Sequence, residues 1–177
     1  MRKVILAVGV TLDSYIARSN GAVDYLFMPK DFSMASFFAS IDTIIMGRKT
    51  YDVSLQMGEG AFGAHIASYV LSRVQPPGAR DGVTFVNEPV TQLVDRLRAQ
   101  PAKGKHIWLM GGGELAHQFL HADIVDEIHL GIVPIVLGEG IPLFPPGFPQ
   151  RNFKLLENNS YSKGLVELKY QRDRRKS

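Results

Sequence analysis

No cysteine occurs in the 177 residues, which excludes a disulfide framework, a thiolate nucleophile and any metal site built on cysteine. No apolar stretch approaches the roughly 20 residues that a helix needs to cross a bilayer. The start, MRKVILAVGV, is basic and then apolar. Thr11, Asp13 and Ser14 interrupt it, and no small-residue cleavage site follows. Neither a signal peptide nor a membrane anchor is expected, and the expected setting is the cytoplasm. Charge of one sign is also scarce. The net charge is +3, and part of it sits in Arg172, Arg174, Arg175 and Lys176, read as a solvated basic tail over 172–177. Basic and aromatic residues do not interleave as nucleic-acid binders require. The Gly111-Gly112-Gly113 stretch is not a G-x-G-x-x-G fingerprint, and Walker A and G-x-S-x-G patterns are absent. His117 and His121 lie four apart but lack the glutamate of H-E-x-x-H, so both are expected to face solvent rather than a metal.

What is present is enough apolar residue, 45%, to bury the core of one domain, expected over 1–171. Val4 to Val8 and Thr43 to Met46 are unbroken apolar runs, as in strands buried on both faces. Ser68 to Leu71, Val83 to Val86 and His106 to Met110 read as further strands, with Trp108 in the core. Ile124 to Val136 holds another strand, broken by Pro134. Helices are expected over Asp31 to Ser40 with Asp31 as its cap, from Gly47 to about Leu55, and from Glu114 to His121. Another covers Val90 to Ala99, whose Val90, Leu93, Val94 and Leu97 share one face before Pro101 ends it. Thr11 to Gly21, the Gly-rich stretch 58–63, Pro76-Pro77-Gly78 and Ile141 to Pro149 read as loops, and Asp126-Glu127 as a solvated turn. Phe153 to Asn158 and Leu165 to Tyr170 form a terminal hairpin. Strands alternating with helices imply a mainly parallel sheet, closed by that antiparallel pair.

Three strand ends carry anion chemistry. The run Ile107 to Met110 enters Gly111-Gly112-Gly113 and then a helix, where unpaired N–H groups and bare backbone admit a phosphate. At the second, Gly47 precedes Arg48, Lys49 and Thr50. Cations at a helix start oppose its dipole, so an anion is expected to compensate them. The third ends in Leu71-Ser72-Arg73. Any one of these is as readily a tight turn. Three together are what a dinucleotide across the carboxyl edge of a parallel sheet requires.

The motifs MGRKTY, VLSR, VTFVN and MGGGELAHQFL resemble, in order and spacing, the cofactor motifs of dihydrofolate reductases. DEIHLGIVPIVLGEGIPLF, Asp126 to Phe144, and FFASIDTIIMGRKTY resemble the reductase domain of the bifunctional riboflavin-biosynthesis deaminase-reductase and its stand-alone relatives. The resemblance implies a dihydrofolate-reductase-like α/β fold and NADPH as cofactor. It assigns Gly47, Arg48, Lys49 and Thr50 to the pyrophosphate and 2′-phosphate, and Leu71, Ser72 and Arg73 to the adenosine side. Met110, Gly111, Gly112, Gly113, Glu114 and Leu115 would cradle the pyrophosphate and nicotinamide, with Gly111–Gly112 as the family's cis peptide. Ala7 and Ile16 would line the nicotinamide. Arg48 and Arg73 favour NADPH over NADH, since guanidinium pairs bidentately with phosphate. Asn87 stands where many dihydrofolate reductases carry a basic residue, which weakens that preference.

On the substrate side, Asp31 aligns with the acid that grips the pterin in dihydrofolate reductases, and is a helix cap on the alternative reading. The family's Asp-Gly is Asp13-Ser14 here, and Asp24-Tyr25-Leu26 resembles an Asp-Trp-Leu of the stand-alone relatives. Lys30 and Lys49 are the candidates for a substrate phosphate. The expected activity is reduction of a heteroaromatic or aminopyrimidine substrate, first an aminopyrimidine ribosyl phosphate and second dihydrofolate. A non-catalytic NADPH-binding domain and an interaction module acting through the tail are the rivals. Relatives pair through the terminal hairpin, so a homodimer is expected.

Overall fold

The computed structural model describes residues 1–56, 58, 62, 65–100 and 105–175. Most of the Gly-rich stretch 58–63, Pro101 and the tail residue Lys176 lie outside them. The chain runs β1 (Val4–Thr11), β2 (Tyr15–Ala17), α1 (Ala35–Ser40), β3 (Ile41–Gly47), α2 (Arg48–Gln56), β4 (Ala67–Leu71), β5 (Gly78–Arg80) and β6 (Val83–Val86). It continues through α3 (Val90–Ala99), β7 (His106–Gly111), α4 (Gly113–His121), β8 (Glu127–Val133), β9 (Ile141–Pro142), β10 (Phe153–Ser160) and β11 (Val166–Arg172).

Nine strands form one sheet in the order β10-β11-β8-β1-β7-β3-β4-β6-β5. The six from β8 to β6 are parallel, while β11, β10 and β5 pair antiparallel at the two sides. Side chains alternate across the sheet, so each apolar run feeds two cores. On one face Leu6, Ile45, Ile107 and Leu109 pack with Leu93, Val94 and Leu97 of α3 and Leu115, Ala116 and Phe119 of α4. On the other, Ile44, Met46, Val70, Phe85 and Trp108 pack with Tyr51 of α2 and with Phe37 and Phe38 of α1.

Several expectations from the sequence are corrected. The loops Thr11–Gly21 and Ile141–Pro149 contain β2 and β9, which pair with each other antiparallel. The Pro-Pro-Gly connection leads into β5, a short edge strand. Helix α1 begins at Ala35, not Asp31. The first-turn N–H of Ala35 is met by the Ser33 hydroxyl (3.2 Å), so Asp31 is not its cap. His117 is half-buried, its ring 4.4 Å from that of Phe148, whereas His121 is exposed.

The largest correction concerns charge at the amino edge of the sheet. Asp126 and Glu127 are buried, not a solvated turn. Asp126 accepts from the Val4 amide (2.8 Å), Arg98 (2.6 Å) and Arg174 (3.1 Å). Arg172 is equally enclosed, its guanidinium 2.7 Å from Asp123. Thus Arg172 and Arg174, expected in a free tail, instead tie the end of the chain to the loop before β8. A concavity of about 290 Å³ opens there, lined by Lys154 and Arg172 to Arg175, at the opposite edge from the three glycines. Removing one partner of a buried pair strands the other charge, at a cost of about 3 kcal/mol or more. Asp126→Ala is therefore expected to lower the urea-derived unfolding free energy at neutral pH by about 3 kcal/mol. An unchanged midpoint would refute this role.

Candidate active site

The anion-type residues come together because their strands are neighbours. Gly111 ends β7, Gly47 ends β3, Leu71 ends β4 and Val86 ends β6, and these four strands are adjacent and parallel. Gly47, Arg48, Lys49 and Thr50, Leu71 to Arg73, Asn87 and Gly111 to Glu114 thus lie along one carboxyl edge. The Gly111–Gly112 peptide is cis.

Packing restricts some of these ends more than others. A Cβ on Gly47 would sit 3.8 Å from the Gly111 carbonyl oxygen and 3.9 Å from the Gly112 nitrogen, ordinary contact distances, so the seam there would admit a methyl group. A Cβ on Gly112 would come within 3.1 Å of Thr50 Oγ1, and one on Gly113 within 3.2 Å of both Ile141 Cγ2 and the Pro142 carbonyl. Gly111 is different: φ is +117°, a region that favours glycine, and nothing lies within 4 Å of where its Cβ would point. The backbone there is bare, and no side chain caps the N-terminus of α4. Ile16, with Ile141 and Pro142, covers that helix start from the β2–β9 side. These features fit a pyrophosphate held by backbone amides.

The charged residues are engaged internally. Arg48 pairs with Asp52 one turn along α2 (2.7 Å), so its charge is balanced within the helix and does not require the external anion expected from the sequence. Arg73 crosses from the end of β4 to Glu114 on α4 (2.7 Å), with both side chains largely exposed. The Ser72 hydroxyl accepts from the amides of Val74 and Gln75, shaping the turn after β4. Lys49 and Asn87 are exposed, and the Leu115 side chain is buried in the core, leaving only its backbone near the edge.

Beside this edge lies a half-open floor at Ala7. Its carbonyl accepts from Trp108 Nε1 (3.0 Å), which fixes the indole against β1. A Cβ on Gly9 would fall 2.6 Å from Leu26, so Leu26 covers β1 on one side of Ala7. Phe37 spans the strand on the other side, its ring 5.4 Å from Trp108 and 5.9 Å from His129. Met110 borders the same cluster. The structure thus sets Leu26, Phe37, Trp108 and His129 around Ala7, of which only Ala7 and Met110 were site candidates from the sequence. The signal for His129 was present in the alternation of Glu127, His129 and Gly131 along β8.

Asp31 does not face this floor as a free carboxylate. Its oxygens accept from the Ser162 amide (2.8 Å) and hydroxyl (2.7 Å), in the turn between β10 and β11. Those bonds hold its carboxyl below the ordinary range. Phe32 and Tyr161 stack edge to face beside the same junction, with centroids 5.1 Å apart. The segment before α1 is therefore fastened to the tip of the hairpin. Asp13 makes a similar clamp, accepting from the amides of Leu137 (3.1 Å) and Gly138 (2.7 Å). Ser14 after it has φ 65°, a left-handed conformation that glycine adopts without penalty.

Comparison with known proteins follows from this geometry. The family model described as the RibD C-terminal domain matches residues 2–166. The chain belongs to that family. YyaP of Bacillus subtilis is 36% identical over 180 residues, covering 96% of this chain and 94% of its own. YwjB of the same organism is 35% identical over 147 residues, covering 81% of this chain and 83% of its own. A crystal structure of a putative riboflavin biosynthesis protein from Shewanella sp. PV-4 superimposes with a TM-score of 0.79 at 27% identity, covering 97% of this chain and 99% of that one. The diaminohydroxyphosphoribosylaminopyrimidine deaminase/5-amino-6-(5-phosphoribosylamino)uracil reductase of Thermotoga maritima shares the fold. Its TM-score is 0.72 at 14% identity, and the match covers 97% of this chain but 57% of that longer one. The expected dihydrofolate-reductase-like α/β fold, a mostly parallel sheet with an antiparallel C-terminal pair, is the one observed.

Two expected outcomes test this architecture. Gly113→Ala forces its new methyl against the Pro142 backbone and is expected to destabilise the fold by about 1–3 kcal/mol. Ile141→Ala in the same chain should recover only part of this, since the backbone oxygen remains, and full recovery in thermal melts would refute the contact. Asp31→Ala, which removes both bonds, should speed amide exchange across 24–34 more than Ser162→Ala, which removes the hydroxyl bond and keeps the one from the amide. The double variant should add nothing to Asp31→Ala, and additive effects would show that the two residues act separately.

Proposed function

We propose that this protein is an NADPH-dependent reductase, formed by one reductase domain over 1–171. Its first-choice substrate is an aminopyrimidine ribosyl phosphate of the 5-amino-6-(5-phosphoribosylamino)uracil class. The observation that carries the reading is the unbroken row of glycine, hydroxyl and arginine chemistry along the ends of β7, β3, β4 and β6, beside the half-open floor at Ala7. Membership of the RibD C-terminal domain family supports reductase chemistry, and the Thermotoga protein's name supports the substrate class. An NADPH-linked reaction fits a cytoplasmic setting. The exposed edge strand β10, with Leu155 and Leu156 on its surface, supports a homodimer paired through the hairpin.

When bound, the cofactor supplies a hydride from C4 of its nicotinamide. The chain does the rest. Amides from Gly111 to Glu114, with Thr50, hold the pyrophosphate. Arg48 and Arg73 meet the 2′-phosphate, Arg73 exchanging its exposed bond to Glu114 for a doubly charged partner. Asn87 borders the adenosine. Ala7 leaves room for the nicotinamide, and Ile16 and Leu26 shield it from water.

Dihydrofolate was the second substrate suggested by the sequence, on the strength of Asp31. The two bonds from Ser162 occupy that carboxylate and weaken the case. A screen of both substrates with NADPH decides between them. Turnover of the aminopyrimidine ribosyl phosphate at an ordinary enzymatic rate, about 1–10³ s⁻¹, is expected, with dihydrofolate far slower. The reverse order would replace the first choice, and stoichiometric NADPH binding without turnover would favour a binding domain. Arg48→Ala and Arg73→Ala should each raise the Kd for NADPH at least tenfold while changing that for NADH little. Equal losses would overturn the 2′-phosphate assignment.

A further inference from the structure

The face of the sheet that carries Ala7 changes character at β8. From β6 to β1 it is apolar, whereas β8, β11 and β10 present a ladder of ionisable groups. Glu127 bonds Lys3 (2.6 Å) through one oxygen and His129 Nε2 (3.0 Å) through the other. Lys169, paired in register with His129, reaches Glu157 (2.5 Å) and Glu167 (3.6 Å), and Tyr161 donates to Glu167 (3.2 Å). From α1, the element packed over this region, Phe37 meets the imidazole.

One member of the ladder adjoins the candidate site. His129 is the register partner of Ala7 across the parallel pair β1–β8, so their backbones lie about 4.8 Å apart with side chains on the same face. Glu127 is the partner of Ile5 on the same face, one step away from the carboxyl edge. The carboxylate stays ionised, held down to about 2 chiefly by its bond to His129, with Lys3 adding to it. It therefore accepts a hydrogen bond from Nε2–H and orients the ring, leaving Nδ1 as the nitrogen available to a ligand. The imidazole side chain is 14% exposed, so it is enclosed without being sealed.

We propose that His129, positioned by Glu127, is the proton donor to the bound substrate. The proposal rests on the reductase reading above. Reduction of a C=N or C=O bond adds a hydride to carbon and sends the π pair to nitrogen or oxygen. That atom must then gain a proton. The N–H bond at Nδ1 of the imidazolium breaks as the new N–H or O–H bond forms, and the neutral imidazole regains a proton from water. Glu127 offsets the imidazolium charge while it lasts, and Lys169, spent on Glu157 and Glu167, does not oppose it. A histidine paired with a carboxylate where the ionisable ladder meets the apolar part of the face, beside the expected hydride position, is the arrangement general acid catalysis needs.

Two measurements test the assignment. Histidine side chains labelled with ¹⁵N are followed in the full-length protein while 5,6-diaminouracil is added without cofactor. The His129 resonances should move while those of His65, His106, His117 and His121 stay, with His65→Gln, His106→Gln, His117→Gln and His121→Gln providing assignments. An unmoved His129 overturns the proposal. In turnover, kcat should fall as pH rises and the imidazolium is lost. His129→Asn should lower kcat about a hundredfold, flatten that limb and leave NADPH affinity within twofold. A variant with wild-type kcat and pH profile overturns the proton role alone. A wild-type protein that reduces neither substrate removes the reductase reading and this role with it.

Discussion

The site depends on how closely the ends of β3 and β7 approach each other. Their register brings Met46 opposite Gly111, and the two helices that follow start almost in contact, with Gly47 against the Gly111–Gly112 backbone and Thr50 against Gly112. The two helix starts share one small volume, in which a Cβ on Gly112 would crowd the Thr50 hydroxyl. Two sets of amide donors and two helix dipoles therefore point at the same region, which concentrates positive potential where a pyrophosphate would lie. The neighbouring ends of β4 and β6 extend that region sideways along the carboxyl edge.

The remainder of the fold keeps this seam in place from a distance. Residues far apart in sequence close the structure around it: Asp13 on the segment after β8, Asp31 on the hairpin turn, Arg172 and Arg174 on the loop before β8. The clamps at Asp13 and Asp31 join loops to loops, while the burial of Arg172 and Asp126 belongs to the amino edge. The carboxyl edge carries open, reorganisable pairs such as Arg73–Glu114. Firm charge pairing thus sits away from the carboxyl edge, and labile pairing sits on it.

The sequence made the regular elements legible because local pattern determines them. Val90–Ala99 shows its apolar face in four residues, and the runs at β1, β3 and β7 could hardly be anything but buried strands. The three anion-type strand ends could be read singly, and their adjacency followed from a parallel sheet. What stayed hidden depended on partners distant along the chain. Asp31 finds Ser162, 131 positions away, and β2 finds β9 through two or three residues each, too short to show a period. Asp126 and Glu127 read as solvent-facing because charge is usually exposed. Only the return of Arg174 and the proximity of Arg98, Lys3 and His129 make their burial tolerable. The functional wall at β8 was missed for the same reason.

Trp108 is the only tryptophan in the chain. Its indole nitrogen bonds the Ala7 carbonyl, and its ring is wedged against Phe37, Phe38 and Phe62. All of the tryptophan emission of this protein therefore originates beside the candidate floor. The fold has in effect placed a single built-in fluorophore next to the spot where an absorbing nicotinamide would rest, so quenching and energy transfer report on that spot without any label.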